Sequence, residues 1–112
     1  MEIQKELSGE IAIFNIDGNL DSNTSADLER VLIPHIESGG IKTIIDGTKL
    51  NYISSAGLRV LLVAAKKIKA ANGMIVLCAL QKHIKEVFDI AGFSKIFTIV
   101  PTRDEALTKF KA

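Results

Sequence analysis

The chain is poor in the residues that carry covalent and metal chemistry. Among its 112 residues it has one cysteine, two histidines, two prolines, one tyrosine and no tryptophan. A lone cysteine excludes an intramolecular disulfide, and Cys78 lies within Met74-Ile75-Val76-Leu77, Ala79 and Leu80, so it reads as a small core residue. His35 and His83 are far apart in sequence, and neither stands at ligand spacing from a second histidine, a cysteine or a carboxylate, so no metal site is expected on them. Charge of neither sign dominates: 14 basic side chains face 13 acidic ones, for a net charge of +1. That balance lacks the basic excess with which nucleic-acid binders neutralise phosphates. Apolar runs are interrupted by Asp46, by Lys66 and Lys67, or by Gln81, short of the ~20 residues a membrane-spanning helix needs. The opening residues Met1 to Glu6 alternate and carry charge, unlike a secretory signal, so a cytoplasmic location is expected. Gly-rich phosphate cradles are missing too. Ser38-Gly39-Gly40 has no Lys-Ser/Thr after it, and Ser54 and Ser55 are not set in a Gly-x-Ser-x-Gly elbow. No cofactor and no catalytic activity of its own are expected.

What is present is the composition of one folded domain spanning residues 1–112, with 47% hydrophobic and 24% charged residues. Every-second-residue alternation over 2–7 and 11–16, around Ser8-Gly9, predicts an antiparallel hairpin. Asp17-Gly18-Asn19-Leu20-Asp21 then reads as a turn-rich segment. Ser22, Asn23 and Thr24 offer N-cap oxygens to a helix carrying Ala26, Leu28, Val31, Leu32 and Ile36, bent by Pro34 and ended by Gly39-Gly40. Ile41 to Ile45 reads as a buried strand. Leu58, Leu61, Ala65 and Ile68 predict a helix over 55–71, with Ser55, Arg59, Lys66 and Lys69 on its solvent side. A strand over 74–80, a helix over 81–91, a strand over 95–100 and a last helix capped by Thr102, with Glu105 completing a capping box, finish the chain. The order predicts an α/β fold: a mixed sheet with an N-terminal antiparallel hairpin and about four helices packed on it.

Two constellations could carry function. Asp17, Asp21 and Asp46 follow or end strands and could meet at one sheet edge to hold Mg²⁺, or could simply serve turns and a helix cap. In Leu50 to Leu62, the small residues Ser54, Ser55, Ala56 and Gly57 crowd a loop-to-helix junction. Either Ser54 or Ser55 is only an N-cap, or the crowding leaves backbone open to a partner.

Ile45-Asp46-Gly47-Thr48 followed by Tyr52-Ile53-Ser54-Ser55-Ala56-Gly57-Leu58 resembles the signature of the STAS domain in its small stand-alone form, the bacterial anti-sigma factor antagonist. Asp17-Gly18-Asn19-Leu20-Asp21 is similar to the family's loop after the second strand, and the resemblance covers essentially the whole chain. It implies a mixed sheet with helices on one side. It also implies partner switching: the unphosphorylated protein sequesters an anti-sigma factor that is also a serine kinase and so releases a sigma factor, and a serine phosphatase reverses the modification. The acceptor corresponds to Ser55; Ser54, which stands where many members carry Asp and leaves the local charge less negative, is the second choice. The expected partner-binding residues are Asp21, Ser22 and Asn23 in the earlier loop. From the later segment they are Tyr52, Ser54, Ser55, Ala56, Gly57 and Arg59.

A phosphate at a helix N-terminus is compatible with the fold, because free N–H groups and the helix dipole favour an anion there. Two other readings stay open. One is a STAS scaffold subunit of a signalling or lipid-transport complex. The other is a phosphotransfer receiver with phosphate on Asp46, although the opening hairpin departs from a receiver's strand-then-helix start.

Overall fold

The computed structural model describes residues 1–111; Ala112, the last residue of the expected domain, lies outside the described residues. Strands β1 (Glu2–Ser8) and β2 (Ile11–Leu20) form the predicted hairpin, with Ser8 opposite Ile11 and Glu2 opposite Asp17. Helix α1 (Ser25–Glu37), β3 (Lys42–Asp46), β4 (Leu50–Ile53), α2 (Ser55–Ala70) and β5 (Met74–Cys78) follow. Then come α3 (Lys82–Ile90), a 3-10 turn at Phe93–Lys95, β6 (Thr98–Val100) and α4 (Arg103–Thr108). The sheet order is β1-β2-β3-β5-β6, antiparallel at β1/β2 and parallel elsewhere, and β4 pairs with β2.

Strand alternation divides the interior into two cores. Phe14 and Ile16 of β2, Ile45 of β3 and Ile75 and Leu77 of β5 join the main core, packed against Leu28, Leu32, Leu61, Ala64, Ile68, Ile84 and Phe88 of α1, α2 and α3. The residues between them, Ile13, Ile44, Val76 and Cys78, face the other way and meet Ala106, with Leu107 and Phe110 packed alongside. The expected one-sided helix layer is therefore corrected: α4 covers part of the opposite face. Thr102 caps α4 as predicted, its hydroxyl oxygen accepting from the Glu105 N–H at 3.1 Å. Cys78 is fully buried in this second core, and burial, with the Asp46 charge adding to it, pushes its thiol up to about 12. It is a packing residue.

Two expectations about the segments near the candidate site need correction. Asp17 to Leu20 is strand and not turn. After pairing with β3 through Asn15, β2 shifts register between Gly18 and Asn19 and continues beside β4, pairing Asn19 with Tyr52 and Leu20 with Ile53. Gly18, at φ 113°, supplies the backbone geometry for that irregularity. β4 itself was not foreseen, because only its end residues Leu50 and Ile53 are buried, while Asn51 and Tyr52 are exposed and break the apolar pattern. The apolar segment expected as a strand over 95–100 begins instead as the 3-10 turn.

Candidate functional site

The parallel pairing of β2 with β4 places the loop after Leu20 beside the loop after Ile53. The Ser54 N–H donates to the Leu20 carbonyl at 2.8 Å, joining the two directly. Each loop then starts a helix.

Ser54 is the N-cap of α2. Its backbone is extended (φ −94°, ψ 172°), its hydroxyl oxygen accepts from the Gly57 N–H at 3.2 Å, and its carbonyl accepts from the Leu58 N–H at 2.9 Å. Ser55 is the first helical residue and is exposed, whereas Ser54 is half-buried. No acidic side chain occupies the first turn of α2. The hydroxyl of Ser55 therefore stands in solvent at the positive end of a 16-residue helix, with no carboxylate in that turn to oppose an added anion. Tyr52 (52% exposed) and Arg59 lie open on the same stretch, and Ala56 is half-buried.

Gly57 is buried, and a Cβ placed on it would lie 2.7 Å from Leu20 Cγ and 3.0 Å from the Leu20 carbonyl oxygen. The small residue lets the first turn of α2 close on β2.

In the neighbouring loop, Asp21 Oδ1 accepts from the N–H groups of Asn23 (2.8 Å) and Thr24 (2.9 Å). The Asp21 N–H donates back to Thr24 Oγ1 at 2.9 Å, and that hydroxyl donates to the Asn19 carbonyl at 2.7 Å. These bonds, the Thr24 N–H first and the Asn23 N–H second, hold the Asp21 carboxyl below its ordinary value. Asp21 thus organises the turn into α1, while Thr24, expected among the capping residues, makes no side-chain cap bond of its own to the helix. Ser22 and Asn23 stay exposed.

The three aspartates do not gather around an ion. Among the described residues no group of three or more His, Cys, Asp or Glu side chains is placed to hold a metal. Asp17 and Asp46 line one open cleft of about 410 Å³ on the α4 side of the sheet, together with Glu6, Asn15 and Arg103. Asp46 is engaged on both oxygens there. Oδ1 accepts from the Thr48 N–H (2.9 Å) and hydroxyl (2.6 Å), and Oδ2 accepts from Arg103 Nε (3.0 Å) and Nη2 (2.9 Å). Arg103 Nη1 reaches Glu6 at 2.8 Å, Nη2 also bonds Asn15 Oδ1, and Asn15 Nδ2 donates to Glu6 at 2.7 Å. Burial works against the Asp46 charge, but the Thr48 and Arg103 bonds outweigh it and keep the carboxyl below its ordinary value. A carboxylate so occupied is a poor phosphate acceptor, which argues against the receiver reading.

Sequence reasoning missed Arg103, Gln81 and His83. Gln81 Nε2 donates to the Leu50 carbonyl (2.9 Å) and Asn51 Oδ1 (3.0 Å), and His83 Nε2 lies 2.6 Å from the Asn51 carbonyl. They steady β4, the strand that delivers Ser54 and Ser55. Nothing local marks these contacts, since the partners are thirty to ninety-seven positions apart.

The sheet order, the helix α4 on its second face and the paired loops belong to one α/β domain, and the STAS domain family model matches residues 2–106. The chain belongs to the STAS domain family. It is 40% identical over 96 residues to the Bordetella bronchiseptica protein named "Putative anti-sigma factor antagonist BtrV", covering 86% of this chain and 83% of that one. The Listeria monocytogenes anti-sigma-B factor antagonist is 30% identical over 99 residues, covering 88% and 86%. Among solved structures, the Bacillus cell fate determinant SpoIIAA in its phosphorylated form superposes with a TM-score of 0.78 at 20% identity, over 98% of this chain and all of that one. Among the described residues no helix is long and apolar enough to cross a membrane.

Proposed function

We propose that this chain is an anti-sigma factor antagonist switched by phosphorylation of Ser55. Unphosphorylated, it binds an anti-sigma factor through the paired loops and frees a sigma factor, acting on transcription in the cytoplasm. The observation that carries the assignment is the division of labour between the two serines: Ser54 is half-buried and caps Gly57, while Ser55 presents a free hydroxyl. The relatives named as antagonists support the general role, and a phosphorylated form of a protein with this fold supports the compatibility of the architecture with phosphate.

The chain contributes a positioned hydroxyl and no catalysis. The anti-sigma factor, acting as the kinase, brings ATP and Mg²⁺, and a serine phosphatase restores the hydroxyl. Phosphate adds about −1.5 to −2 charge and tetrahedral bulk beside Tyr52, Ala56 and Arg59. A penalty of about 3 kcal/mol against a close-packed or acidic partner surface weakens binding about a hundredfold. Titration calorimetry with the anti-sigma factor tests this: Ser55→Ala binds like the unmodified protein and resists release by ATP, and Ser55→Asp binds markedly more weakly. Equal binding by both variants, with release by ATP intact in Ser55→Ala, contradicts the proposal.

A further inference from the structure

At the far end of α2 from Ser55, a trough of about 450 Å³ opens between the last turns of that helix, the start of β5 and the residues leading into β6. Ile75, 7% exposed, lines it, together with Met74 and Ile96, which have 39% and 52% of their surfaces exposed. Lys66, Lys69 and Lys95 line the same trough, and no carboxylate does. Among the described residues none of these three lysines forms an ion pair, although the neighbouring Lys67 is paired with Glu37. Three unpaired ammonium groups round these apolar residues, in a chain whose net charge is only +1, are a local concentration of charge that nothing in the fold uses.

We propose that this trough docks an acidic amphipathic helix of a partner protein. Its apolar face would cover Met74, Ile75 and Ile96, with carboxylates along its flanks meeting Lys66, Lys69 and Lys95. Complementarity of charge fixes the sign of the occupant. The site is a depression of about 450 Å³ lined by both helix and strand residues, so a convex helix can enter it where a flat lipid surface rests on its rim. Exposed Met74 suits such a groove, since its unbranched side chain adapts to the ridge it meets. Lys66 lies eleven residues beyond Ser55, about 16 Å along the helix axis, so the docking site is separate from the proposed switch and does not depend on it.

The test is a titration of the ¹⁵N-labelled full chain with a synthetic amphipathic helical peptide carrying Leu on one face and Glu on the other. Its Gln-for-Glu counterpart and phosphatidylglycerol vesicles serve as competing probes. The expected result is a set of amide shifts over Gly73, Met74, Ile75 and Ile96, with Ser55 unmoved and binding weakened by added salt. The exposed double variant Lys66→Glu/Lys69→Glu should fold normally and bind about tenfold more weakly or worse. No shifts, equal binding of the Gln peptide, shifts centred on Ser55, or preference for the vesicles would each overturn the proposal.

Discussion

Two polar regions, one on the α4 side of the sheet and one at the loops after β2 and β4, are built on opposite plans. On the α4 side, Asp46, Arg103, Glu6 and Asn15 hold one another, so the charges with the greatest chemical capacity are already satisfied. At the β2/β4 loops the Asp21 carboxylate is spent on its own turn, but the Ser55 hydroxyl is left free by a neighbour that does the capping. The difference teaches that titratable clusters do not by themselves locate function. A polar group without an internal duty is the more informative feature, and the same reasoning singles out the three unpaired lysines of the α2 trough.

The sharpest way to break the contrast is Gly57→Val, which drives a branched side chain into Leu20 and lowers stability by about 1–3 kcal/mol, read as a reduced urea midpoint and a weaker hold on the anti-sigma factor. Arg103→Ala acts on the other region. It leaves Asp46, whose side chain is 7% exposed, without its cation, and the expected cost is about 1–2 kcal/mol, below that of a fully buried pair because the Arg103 side chain is 35% exposed. This second region carries a pH signature. The Asp46 pKa lies below its ordinary 3.8 in the folded protein, so its contribution is present above that pH and is lost as pH falls through the lowered value. Wild type should therefore exceed Asp46→Asn in stability at neutral pH and lose that advantage in acid. Ser54→Ala is milder: removal of the α2 cap costs about 1 kcal/mol, read as a small drop in the urea midpoint, while the Ser55 hydroxyl stays exposed.

The hairpin, the helix over 55–71 and the capped last helix were legible in the sequence because each rests on a local rule: period-two alternation, period-3.6 spacing, or a Thr-x-x-Glu cap. β4 was not, because a four-residue strand with two exposed central residues carries no period, and its carbonyls at Leu50 and Asn51 are satisfied by side chains from α3. Ser54 and Ser55 were recognised together, but which one caps depends on backbone angles set by the Leu20 pairing. The packing duty of Gly57 was not legible for a related reason. A glycine that admits a partner and a glycine that admits Leu20 look the same in sequence.

The most direct measurement of the account's central claim is phosphosite mapping by mass spectrometry, on the protein incubated with ATP and the proposed kinase partner, for wild type and Ser55→Ala. The account predicts a single phosphate on Ser55 in the wild type and none in the variant. Phosphate on Ser54 or Asp46, or unchanged incorporation in Ser55→Ala, would contradict it.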